Sequence, residues 1–174
     1  MTIEEKYGIH YINGKRYYEA DLSEALPFVD DCVPYLFRYK EIEISCSTWN
    51  KMTLGILSAL DAKSPKSTEE LLSLKYSWSK QSPFSPEHRT NHVPFKDVFL
   101  NVNHTSTHSM MSIQTILAAY GVDPNECYFL IRRHYGVEPE DAKEVFRQRT
   151  LRRLEKSLRF KRYSDENTAT IMKI

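Results

Sequence analysis

From Tyr7 to Asp21 the chain reads YGIHYINGKRYYEAD, with aromatic and β-branched residues on either side of Asn13-Gly14. Asn-Gly supplies the positive φ angles of a two-residue type I′ turn, so this pattern predicts a β-hairpin. Asp21-Leu22-Ser23-Glu24 has the capping-box spacing and predicts a helix start, which Pro27 would limit or kink. Tyr35 to Cys46 reads as strand, its end alternating through Ile42, Ile44 and Cys46. Trp49, Met52, Ile56 and Leu60 then recur at helical spacing, with Ser47 or Thr48 as the cap. Ser67-Thr68-Glu69-Glu70 is a second capping box and opens a shorter helix through LLSLKYSW.

Periodicity disappears between Ser79 and Lys96, where Pro83, Pro86 and Pro94 sit among polar residues. A long loop is expected there. Asp97 to Asn103 returns to strand, with Val98, Leu100 and Val102 on one face. Met110, Ile113, Leu117 and Tyr120 then mark a helix, with Ile116 widening the stripe. Next come two near-copies fifteen residues apart, Tyr120-Gly-Val-Asp-Pro124 and Tyr135-Gly-Val-Glu-Pro139. Each has Gly to end a helix, an acid to cap the next one and Pro at its first position. This punctuation predicts three helices over about residues 107–120, 124–135 and 139–161. The run CYFLIRR has β-propensity, however, and as a strand it would make the region a βαβ unit.

The expected fold is α+β: an N-terminal hairpin and small sheet packed by helices, then a strand leading into a basic three-helix unit. As an organisation this gives an α+β part over 1–96 that includes the polar loop 79–96, a strand and three helices over 97–163, and a loose tail over 164–174, the first two parts expected to form one compact domain. At 174 residues with 41% hydrophobic and 12% aromatic content, the chain can bury a real core. Its longest apolar runs fall far short of the roughly 18 residues that span a bilayer. The acidic N-terminus MTIEEKYGIH lacks the basic and apolar regions of a signal peptide. Cys32, Cys46 and Cys127 are odd in number and widely spaced, which fits reduced thiols in a cytoplasmic protein.

Charge is unevenly distributed. Lys143 to Arg162 holds nine Lys or Arg against two Glu in a chain of net charge +1, so the rest is acidic. That asymmetry points to an anionic partner, either nucleic acid or an acidic protein surface. Arg132, Arg133, Arg147, Arg149, Arg152 and Arg153 are the candidate phosphate contacts, on helices with a Gly-containing turn that resembles a helix-turn-helix outline. Pro139, Glu140 and Asp141 place acid where base-reading residues would begin, and a charge run on a helix is commonly just a solvated face.

A second candidate site is NVNHTSTHSMM, residues 101–111. His104 and His108 could act as acid and base, while Thr105, Ser106 and Thr107 would add hydroxyls to the helix N-terminus and hold an anion. His88 and His92 repeat the H-x-x-x-H spacing, so a divalent metal shared by His88, His92, His104 and His108 is a candidate cofactor. The plain alternative is a capped helix start, although one or two hydroxyls suffice for that. The first functional expectation is a cytosolic nucleic-acid-associated protein of regulatory type that grips phosphates with its basic helices. The others are a small hydrolase or phosphate-ligand enzyme using segment 88–108, and a non-catalytic protein-interaction module.

Overall fold

Asn13 and Gly14 have φ of +50° and +73°, and their turn joins β1 (His10–Ile12) to β2 (Lys15–Glu19) with Ile12 opposite Lys15. The computed structural model describes residues 3–25, 27, 29, 31–102, 105–134, 147–148 and 150–158. A side chain at Gly14 would meet no neighbour, so its φ is the sole obstacle to substitution. Gly14→Ala is therefore expected to lower stability by about 1 kcal/mol. Urea unfolding would read the loss, and an unchanged midpoint would contradict the type I′ geometry.

The expected strand over 35–46 is a second hairpin, β3 (Cys32–Tyr39) and β4 (Ile42–Ser45). Tyr39 faces Ile42 across a two-residue Lys40-Glu41 turn in which Lys40 takes φ +49°. No Gly or Asn marks that turn, so the sequence pattern runs straight through it. The capping-box pattern at Asp21 forms a local turn instead of a helix. Its carboxylate accepts from the Ser23 N–H at 2.8 Å and hydroxyl at 2.6 Å. Asp and Ser close such turns as readily as they cap helices.

The helix α2 (Trp49–Lys63) forms where the periodicity places it, and α3 (Thr68–Ser73) starts at its capping box but ends at Ser73, short of the expected Trp78. Ser67 and Glu70 complete the α3 capping box reciprocally, the Ser67 N–H donating to Glu70 and the Glu70 N–H to Ser67. The segment 79–96 is more ordered than its prolines suggest. It contributes β5 (Phe84–Ser85) and β6 (His92–Phe95), which flank β7 (Val98–Asn101) in a three-stranded antiparallel sheet. Pro94 is accommodated because β6 is an edge strand, where a missing N–H breaks no ladder. The sequence position expected as a boundary, residue 96, lies in the β6–β7 turn, with Phe95 paired to Val98.

The largest correction concerns residues 124–135. Helix punctuation at Asp123-Pro124 produces a single 3-10 turn, Pro124–Glu126, capped by the Asp123 side chain. The chain then enters β8 (Tyr128–Arg133), so the expected basic three-helix unit is not formed. β8 is the middle strand of a five-stranded sheet ordered β1-β2-β8-β3-β4. Phe129, Leu130 and Ile131 are all buried in succession, as the residues of a strand covered on both faces must be. Tertiary pairing between β2 and β3 outweighs the local end signals.

Helices α2 and α4 (Ser106–Ala119) pack on each other, and the core they share with the sheet joins Phe37, Phe129 and Ile131 to Met52, Ile56, Met110 and Ile113. Leu100 and Val98 of the small sheet belong to the same cluster. Trp49 Nε1 and Ser106 Oγ both donate to the Cys32 carbonyl, pinning the first turns of α2 and α4 to the start of β3. The chain separates into two compact units, Met1–Gly136 and Val137–Ile174. All elements above lie in the first. In the second, residues 147–148 and 150–158 are helical and exposed, and the other residues expected in the helix 139–161 lie outside the described ones, as do those of the tail 164–174.

Candidate nucleic-acid interface

Successive residues of a strand point to opposite faces, and β8 separates its two arginines in this way. Arg133 turns toward α1 (Ile3–Tyr7) and meets Glu4 at 3.2 Å, their side chains 20% and 15% exposed. The same carboxylate accepts from the Tyr18 hydroxyl at 2.9 Å. Burial pushes the Glu4 carboxyl up, but hydrogen bonds from backbone, Tyr18 and Arg133 together with the Arg133 charge outweigh it, and the net displacement is downward. Arg133 thus fastens α1 to the sheet, and its guanidinium is already engaged.

Arg132 is half-buried on the other face. A bulge between Pro34 and Leu36 interrupts the β3–β8 register there, and Tyr35 stacks on Tyr17 with ring centroids 4.2 Å apart. Burial raises the Tyr17 phenol, the neighbouring Tyr35 raises it further, and Arg132 partly offsets both. Beside them Arg38 lies over the Tyr128 ring at 5.9 Å. Arg38 also pairs with Glu43 at 2.8 Å, so this face carries its own counter-charges.

The remaining candidates belong to the second unit. Arg147, Arg152 and Arg153 are exposed on the helical residues, while Arg149 lies outside the described ones. Lys156 falls one turn after Arg152 and shares its face, a neighbour that the i, i+4 spacing makes legible in the sequence. Among the described residues Arg152, Arg153 and Lys156 form no ion pair. The structure therefore divides the five described candidate arginines: two are built into a sheet and three are displayed on a solvated helix.

The histidines have separate neighbours. His108 is exposed in the first turn of α4, where its ring stacks on Trp78 at 6.0 Å and within 5° of parallel. Trp78 in turn stacks on Tyr76 at 4.2 Å. His88 meets Phe99 edge-on at 5.3 Å, and His92 Nδ1 lies 3.2 Å from the Thr90 carbonyl. His104 lies outside the described residues. No three His, Cys, Asp or Glu side chains among the described residues gather as a metal-binding group. At the helix start, Thr105 accepts from the His108 N–H and Ser106 donates to the Cys32 carbonyl, so both hydroxyls already serve the fold. Thr107 is half-buried beside them.

Comparison with protein-family models, with curated proteins and with solved structures finds no match to this chain. Among the described residues, no helix is long and apolar enough to cross a membrane. The fold defines an α+β protein with a central antiparallel sheet and a separate basic helical segment.

Proposed function

We propose that this chain is a nucleic-acid-associated protein whose phosphate contacts come from the exposed face formed by Arg152, Arg153 and Lys156. The observation that carries this reading is the display of Arg152, Arg153 and Lys156 on a solvated helix in which Glu155 is the sole acid among the described residues. Guanidinium and ammonium groups held in water bind phosphates by releasing condensed counterions, so sequence-independent affinity follows from their number. Arg133 does not belong to the set because Glu4 holds it. Cys32, Cys46 and Cys127 form no disulfide among the described residues, which supports a reducing, cytoplasmic setting. The enzyme reading has weaker support, since the His108 ring rests on Trp78, the Thr105 hydroxyl serves the helix cap and the Ser106 hydroxyl donates to the Cys32 carbonyl.

The test is anisotropy with single-stranded and duplex oligonucleotides across roughly 50 to 200 mM salt, where a protein making several phosphate contacts loses orders of magnitude in affinity. Changing Arg152, Arg153 and Lys156 together to Ala is expected to reduce the slope of log affinity against log salt by about 0.7–0.9 for each cation that no longer meets a phosphate. Arg133→Ala should do the reverse. It should lower stability by about 2 kcal/mol, since it leaves Glu4 buried without its partner, and should keep the wild-type salt slope. Binding that is absent or insensitive to salt would refute the proposal and leave the basic face to an acidic protein surface.

A further inference from the structure

The helical segment has a second side. Leu151, Leu154 and Leu158 are 49%, 55% and 66% exposed, the three most apolar side chains in it and all in water. At 100° per residue they lie within about 60° of arc, and Arg152, Arg153 and Lys156 lie within about 100° on the opposite side. Spacings of three and then four residues are those of a coiled-coil seam, in which Leu151, Leu154 and Leu158 occupy successive a, d and a positions.

We propose that this stripe pairs with the same stripe of a second copy of the chain, the two helices running antiparallel about a two-fold axis. Charge placement selects this occupant. The positions flanking the seam are Gln148, Thr150, Glu155 and Ser157, and none of them is a cation; the one cation in the seam itself is Arg147, at the d position one heptad before Leu154. The cations Arg152, Arg153 and Lys156 occupy the outer positions, so two copies can approach without bringing them together. An antiparallel pair sets Leu151 against Leu154 of the other copy and Gln148 beside Glu155. It also sends the two Arg147 side chains to opposite ends of the seam, each beside Leu158 of the other copy where its long stem can pack and its head reach water, whereas a parallel pair would set them against each other. A self-complementary patch of this kind closes after two copies.

A lipid surface fits less well. Interfacial helices use cations at the border of the apolar stripe, where long side chains reach the headgroups. Here Arg152, Arg153 and Lys156 point away from the leucines, and Arg147 stands at one end of the stripe instead of along its borders. The dimer also differs in cause from the phosphate contacts, because it uses the leucine side and leaves Arg152, Arg153 and Lys156 of both copies outward.

Three leucines a side make a small interface, so association should be weak and visible only over a wide concentration range. The experiment is sedimentation equilibrium of the full chain from about 1 μM to about 1 mM, the span over which micromolar to millimolar dimers dissociate. A monomer–dimer equilibrium is expected. Leu151→Ser with Leu154→Ser should weaken it at least tenfold, and Arg152→Ala should leave it unchanged. Both leucines are half exposed, so the double variant should unfold at the wild-type urea midpoint, and a shifted midpoint would itself contradict a free stripe. A chain that stays monomeric at every concentration overturns the proposal. So does leucine-dependent binding of the monomer to phosphatidylserine vesicles, which would assign the stripe to lipid. A monomer that still binds oligonucleotides with the expected salt slope would overturn the dimer and leave the nucleic-acid reading standing.

Discussion

Replacing Asp61 with Ala is expected to lower unfolding free energy by about 3 kcal/mol, because it removes the acceptor at the meeting point of three segments. Asp61 sits in the last turn of α2, where a carboxylate opposes the helix dipole. Its partners explain its presence. Oδ1 accepts from the Lys66 N–H at 2.9 Å and the Tyr120 hydroxyl at 2.8 Å, and Oδ2 pairs with Lys96 at 2.7 Å. Lys96 also donates to the Lys66 carbonyl at 2.7 Å, from a β6–β7 turn in which it takes φ +51°. One carboxylate thereby ties the end of α2 to the α3 cap, to the small sheet and to the C-terminal end of α4.

The same network sets a pH dependence. Burial raises the Asp61 carboxyl, but the hydrogen bonds from Lys96, Lys66 and Tyr120 and the Lys96 charge outweigh it, so the folded value lies below the ordinary 3.8. A depressed folded value means the unfolded chain binds the proton more readily. The stabilisation is then complete above 3.8 and is lost as pH falls through the folded value. Tyr120 is displaced upward, first by burial and then by the Asp61 hydrogen bond and charge, and it stays protonated throughout. Urea unfolding of wild type and Asp61→Ala at neutral pH and again below 3.8 should show the gap narrowing with acid. A loss under about 1 kcal/mol at neutral pH would mean that water replaces the carboxylate without cost.

Phe129→Ala should be at least as damaging, at about 3–5 kcal/mol, because an aromatic ring in a closed core leaves a cavity that the neighbours cannot fill. Phe129 is fully buried in the middle strand, edge-on to Phe37 at 6.3 Å and tilted against Trp49 at 6.0 Å. With total stability of a domain near roughly 5–15 kcal/mol, the variant should be marginally folded at room temperature. Thermal unfolding would show a drop of many degrees. Hydrogen exchange in the wild type provides the companion measurement, since the β8 amides from Tyr128 to Arg133 should be among the slowest to exchange. Fast exchange there would contradict a central strand.

Much of the molecule was legible in the residue pattern, and the exceptions share a cause. The Asn13-Gly14 hairpin, α2, the Ser67 capping box and the strand leading into α4 each depend on local chemistry: a positive-φ turn, a periodic apolar face, a reciprocal cap. Tyr128 to Arg133 carried two conflicting local signals, and pairing with β2 and β3 decided between them. The Lys40-Glu41 turn and the strands within 79–96 carry no local signature, because a hairpin partner and an edge position are properties of the assembled sheet. In the candidate site, the basic character and helical spacing of residues 147–158 were readable, and Lys156 with them. That Arg133 is held by Glu4 was not, since the two are 129 residues apart in sequence.

Residue type and spacing along one chain were enough to say where cations, caps and apolar faces lie. Folding then settled which of them remain available. Glu4 engages Arg133, Trp78 stacks against His108 and Cys32 accepts from Ser106, while Arg152, Arg153, Lys156 and the three leucines stay in water. A side chain's remaining capacity to bind depends on what the fold brings beside it, and contacts across 74 or 129 residues leave no mark on local pattern.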